Sequence, residues 1–131
     1  MDELAKRALA ERLYDRRNEA VTVQRGSIER GDWQPKPKEC HTNVTLWCRD
    51  NPDYTAIRGW IVADHSIERI AVVFQFFAHS VVETKTGGLI DVTPNPLDRN
   101  YPFLRHDSAD CDFNEVVFGH EITSVTYQAE A

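Results

Sequence analysis

No stretch of this chain approaches the roughly 20 consecutive apolar residues that a helix needs to cross a bilayer, so no membrane-spanning segment is expected. Positive charge is also scarce. Fifteen Lys and Arg stand against 21 Asp and Glu, for a net charge of −6, and the longest basic clusters are pairs. Neutralising a phosphate backbone needs a basic surplus on some face, so no nucleic-acid partner is expected. The N-terminal segment mixes both signs of charge and lacks the apolar run of a targeting signal. No Cys-x-x-Cys or His-x-x-x-His pair occurs, so no metal site is expected, and no cofactor is called for. Internal repeats and low-complexity tracts are absent too. The three cysteines cannot all pair within one chain, which fits a reducing, cytoplasmic setting and makes each thiol a question of chemistry.

What is present is a hydrophobic content of 41% with 27% charged residues, too apolar for a disordered chain, and 131 residues suit one domain with one core. Residues 1–18 predict a helix, with Leu4, Ala8, Leu9 and Leu13 on one face, widened by Ala5 and Tyr14. A short β-prone stretch covers 20–24. Two glycines, Pro35 and Pro37 make 26–39 a loop, after which Cys40, Val44, Trp47 and Cys48 form the apolar stripe of a helix over 40–50, closed by Asn51-Pro52. Strands are expected at 57–63, 69–84, 89–93 and 122–128, with a turn at 64–66 and a glycine-bearing hairpin turn after Glu83. The proline-punctuated, polar segment after Pro94 reads as a long loop to Phe113.

Three residues on three elements suggest chemistry. Cys40 opens a helix, where the partial positive charge of the helix N-terminus favours thiolate over thiol. His79 lies on a strand and Asp91 on its hairpin partner. A histidine beside a thiol can take its proton and later give it to a leaving amine, while a carboxylate on the far ring nitrogen fixes the tautomer. Side chains alternate faces along a strand, and the residue numbers of antiparallel partners have a constant sum. His79 and Asp91 therefore share a face only if the hairpin loop has an odd number of residues, as a loop of Lys85, Thr86 and Gly87 would. The N–H of Cys40 is the natural first oxyanion donor, with the Gln34 side chain or the Trp33 indole as the second. The gap of six residues from Gln34 to Cys40 matches that between the oxyanion glutamine and the nucleophile in papain-like cysteine proteases. His41, about 100° around the helix from Cys40, is expected to be a poor partner for the thiol. Cys48 and Cys111 read as bystanders.

The stretch Glu-Cys-His-Thr-Asn-Val-Thr-Leu-Trp-Cys at 39–48, followed by Ala-Ile-Arg-Gly-Trp-Ile-Val at 56–62, resembles the nucleophile helix and following strand of transglutaminase-like enzymes. His-Ser-Val-Val-Glu-Thr-Lys-Thr-Gly-Gly-Leu-Ile-Asp-Val-Thr-Pro at 79–94 is similar to that family's His-bearing strand, glycine turn and Asp-bearing return. The resemblance covers 39–94 and implies Cys40 as nucleophile, His79 as general base and acid, and Asp91 as orienting carboxylate. This chain differs in having Ser80 where an aromatic usually follows the histidine, and His41 after the nucleophile. The implied group is the wider papain-like superfamily of proteases, transglutaminases, deamidases and catalytically silent relatives.

The expected fold is α+β: an antiparallel sheet of four to six strands carrying the Cys40 helix and the N-terminal helix, a transglutaminase-like core. The expected activity is thiol-dependent amide or acyl chemistry, as a peptidase, amidase, deamidase or transglutaminase, on a peptide or protein carboxamide. Tyr101, Arg105 and His106, just beyond the Asp91 strand, are candidates to line the substrate cleft. The alternative is a binding module that keeps the fold, lacks the reaction and holds a protein or peptide in the cleft.

Overall fold

The computed structural model describes residues 1–26, 34–36, 39–94 and 100–131. Its elements are helix α1 (Glu3–Asp15), a 3-10 turn (Arg17–Glu19), strand β1 (Val21–Arg25), helix α2 (Cys40–Asp50), strands β2 (Thr55–Asp64), β3 (Ala71–Glu83), β4 (Leu89–Asp91) and β5 (Tyr101–Arg105), helix α3 (Asp110–Asn114) running into a π-helical turn (Glu115–Gly119), and strand β6 (Ser124–Glu130). The class is α+β. The six strands form one sheet in the order β2-β5-β1-β4-β3-β6, with β2 and β3 also paired. Among the described residues no helix is long and apolar enough to cross a membrane.

The sheet is mixed, which corrects the antiparallel expectation: β1 pairs with β4 in parallel, Gln24 opposite Ile90 and Arg25 opposite Asp91. Local patterning shows that a strand exists but not which later strand it will join. A second correction concerns the segment after Pro94. Tyr101–Arg105 is a strand, paired antiparallel to β2 with Gly59 opposite Arg105 and Ile61 opposite Phe103. Pro102, which made the stretch look like loop, falls just outside that register, so its missing N–H breaks no bond of this ladder. α3 and the π-helical turn also stand where no element was expected.

The described residues fall into two compact units. The first comprises Met1–Val21, Gly59–Ala78 and Pro102–Ala131. Asp2 caps α1, its Oδ1 accepting from the Ala5 N–H at 2.8 Å. The buried face is Leu9, Ala10 and Leu13; Leu4 and Ala8, expected on it, are exposed. These residues join Trp60, Phe76, Leu104, Phe113, Val116, Val117, Ile122 and Val125 in one core. At its edge Tyr14 stacks on Tyr127 with ring centroids 3.8 Å apart, and the Arg17 guanidinium covers the Tyr14 ring.

The second unit comprises Thr22–Arg58 and His79–Tyr101. Its core is smaller: Val44 and Trp47 from α2 against Val82 of β3 and Val92 just past β4, bordered by Cys48, Tyr54, Ala56 and Ile90. In the β3–β4 hairpin Val82 faces Ile90 and Glu83 faces Leu89. Thr84 N–H bonds the Gly88 carbonyl at 2.8 Å, leaving Lys85, Thr86 and Gly87 as the loop. Gly87 has φ of +94°, a left-handed conformation that glycine adopts without a steric penalty. The odd loop length puts His79 and Asp91 on one face of the sheet.

Candidate active site

Cys40, His79 and Asp91 all lie in the second unit. Cys40 is the first residue of α2, so the open N–H groups and the dipole of an 11-residue helix act on its sulfur. His79 is almost buried and Asp91 wholly so. The His79 Nε2–H points at Asp91 Oδ2, 3.0 Å away, and the Tyr101 hydroxyl oxygen lies at the same distance from Nε2. Asp91 Oδ1 accepts from the Thr93 N–H at 3.0 Å, so both carboxylate oxygens are held.

The rings of His41 and His79 both act on the Cys40 thiol. Burial alone would push this thiol up, but hydrogen bonding to the two rings and the positive charge of each outweigh it and bring the pKa from 9.0 to about 6. For His79 burial disfavours the imidazolium. The hydrogen bonds to Asp91 and Cys40, with the negative charge of each, more than compensate and raise its pKa from 6.5 to about 9. Between those values the pair stands as thiolate and imidazolium. Cys48 differs: burial raises its pKa, and the nearby Arg58 charge offsets only part of the rise. Cys111 is exposed.

Comparison of the chain with protein-family models, curated proteins and solved structures finds no match. The site is therefore read from its own geometry.

The remaining candidates are placed as follows. Tyr101 touches His79 both through its hydroxyl and edge-on through its ring. Gln34 is exposed, in the described stretch 34–36 upstream of α2. Trp33 lies outside the described residues. Arg105 and His106 belong to the first unit, not to the unit that holds the triad. There the Trp60 indole N–H donates to His106 Nδ1 at 3.2 Å, and His106 Nε2 meets Asp112 Oδ2 at 2.8 Å, so both ring nitrogens have structural partners. The Arg105 carbonyl accepts from the Arg16 guanidinium.

Two groups of residues were missed by the sequence reading. His41, dismissed on helical spacing, acts on the Cys40 thiol from the next position in the first turn of α2. Behind it, His41 Nδ1 lies 2.6 Å from Ser80 Oγ, and Ser80 Oγ accepts from Arg58 Nη1 at 2.9 Å. A lone arginine on an otherwise apolar strand was the available signal for Arg58. The other is Asn43, almost fully buried. Its amide pairs with both backbone groups of Lys36 (N–H to Oδ1 2.9 Å, Nδ2 to the carbonyl 2.8 Å) and donates to Thr93 Oγ1 at 3.0 Å. One side chain thus fastens Lys36, upstream of Cys40, to Thr93, just past the strand that carries Asp91.

Proposed function

We propose that the protein performs thiol-dependent amide or acyl chemistry through Cys40, His79 and Asp91. The thiolate–imidazolium pair, poised between pH 6 and 9, carries this reading. The Cys40 sulfur attacks the carbonyl carbon of a peptide or protein carboxamide, and the oxygen takes the negative charge beside the Cys40 N–H, with Gln34 as second donor. His79 transfers its proton to the departing nitrogen, the C–N bond breaks, and a thioester and a free amine or ammonia result. Water or a second amine then attacks the thioester, giving its proton to His79 as the sulfur leaves as thiolate. Asp91 holds the imidazole in orientation and stabilises its charge through both halves. The chain order of Cys, His and Asp, on a helix start and two neighbouring strands, supports a place in the transglutaminase-like part of the papain-like superfamily. A free thiol nucleophile suits the reducing cytoplasm.

Alkylation by iodoacetamide, followed against pH by peptide mass spectrometry, tests the reading. Cys40 is expected to reach half its limiting rate near pH 6, ahead of Cys48, and to lose this early reactivity in His79→Ala. A Cys40 that titrates as an ordinary thiol, near 9, overturns it.

A further inference from the structure

The hydrogen-bond chain from Arg58 through Ser80 ends on the ring of His41, which acts on the neighbouring Cys40 thiol, yet the proposed reaction does not use it. Its polarity follows from which atoms can donate. A guanidinium only donates, and Arg58 gives an Nη1–H to Ser80 Oγ. Ser80 is fully buried, and among the described residues its hydroxyl has two partners, Arg58 and His41 Nδ1. The Ser80 hydrogen cannot go to Arg58, so it goes to Nδ1, since leaving it unpaired in a buried place is costly. His41 Nδ1 is then an acceptor, and the ring hydrogen sits on Nε2. Arg58 is itself anchored to α2, with Nη1 3.4 Å from the His41 carbonyl and Nη2 2.9 Å from Thr45 Oγ1.

We propose that His41 is a second catalytic group of this site: an imidazole locked in its Nε2–H tautomer by Ser80 and Arg58, donating to the Cys40 sulfur while His79 alone carries the mobile proton. The proposal rests on the reading of Cys40 as nucleophile. It assigns different work to two rings with different neighbours. His79 Nε2–H ends on a carboxylate, an arrangement that favours the imidazolium. His41 Nδ1 meets a hydroxyl whose oxygen is already held by a cation, an arrangement that offers a hydrogen. A donor that is not consumed when His79 surrenders its proton keeps the sulfur in position, and it stabilises the thiolate that leaves when the thioester is resolved.

Nitrogen-15 NMR of the full chain reads the tautomer with no substitution. At pH 8 His41 is expected to show an unprotonated Nδ1 and a protonated Nε2, and a protonated Nδ1 overturns the proposal. In parallel, the pH midpoint of Cys40 alkylation is compared in wild type, His41→Gln, which keeps an N–H donor, and His41→Leu, which has none. The leucine variant is expected to shift the midpoint up by about one pH unit, with glutamine in between. A leucine variant with the wild-type midpoint overturns the proposal. Failure of the underlying reading is distinguishable, because the wild type itself then titrates as an ordinary thiol.

Discussion

Asp91 shows how much one buried side chain can control. One oxygen receives the Thr93 N–H and the other the His79 Nε2–H, so its charge reaches Cys40 only through the imidazole. Asp91→Asn keeps the shape and removes the charge. The His79 pKa is then expected to fall from about 9 toward its ordinary 6.5, and the alkylation midpoint of Cys40 to rise with it; proton NMR titration of the His79 ring checks the first and iodoacetamide the second. Asn43 acts on position instead of charge. Asn43→Ala removes the side-chain partner of the Lys36 N–H and of the Thr93 hydroxyl at once, and leaves the Lys36 carbonyl with the Glu39 N–H at 3.4 Å. A loss of about 1–3 kcal/mol is expected in urea unfolding, together with slower Cys40 alkylation at pH 7 as the segment before α2 loosens.

At the scale of elements, two glycines separate conformational from steric cost. Gly87 sits in the β3–β4 turn with positive φ and open space where a Cβ would go, so Gly87→Ala is expected to cost about 1 kcal/mol, from backbone strain alone. Gly59 lies where β2 meets β5, and a Cβ there would run into the Leu104 carbonyl oxygen and the Phe103 ring. Backbone cannot move aside as a flexible side chain can. Gly59→Ala is therefore expected to cost more, about 1–3 kcal/mol, and parallel urea titrations of the two variants give the order. The hairpin turn also has a chemical consequence: one residue more or fewer would turn Asp91 to the face opposite His79.

Over the whole molecule the Cys40–His79 pair predicts a pH dependence that its two members hide from each other. Cys40 has its pKa lowered from 9.0 to about 6 on folding, so the stability it contributes is complete above pH 9 and is lost as the pH falls through 6. His79 is raised from 6.5 to about 9, so its contribution is complete below pH 6.5 and is lost as the pH rises through 9. Between about 6.5 and 9 the folded pair holds one proton, on the imidazole, and the unfolded pair also holds one, on the thiol. The two slopes cancel, and the pair leaves folding stability level across the window. Cys40→Ala removes one slope and leaves His79 beside Asp91. Its stability relative to wild type is expected to fall with rising pH, by up to about 1 kcal/mol per pH unit between 6.5 and 9, in urea titrations at several pH values.

Several features were legible in the sequence because they depend on neighbours along the chain. The stripe of Val44 and Trp47 and the Asn51-Pro52 stop determined the helix over 40–50, and with it the position of Cys40 at a helix start. The two glycines after Thr86 marked the hairpin turn and made the shared face of His79 and Asp91 a matter of loop parity, which the three-residue loop of the structure then decided. Other features depended on residues distant in sequence. Whether β1 runs parallel to β4, whether the proline-bearing stretch 101–105 finds a strand to pair with, and that Arg58, Ser80 and His41 line up behind the thiol are decided by which segments pack together. Periodicity records only which way a side chain faces. A strand's partner, and the atom to which a buried donor points, are set by burial and hydrogen bonding across the fold, where an unmade bond carries its full desolvation cost.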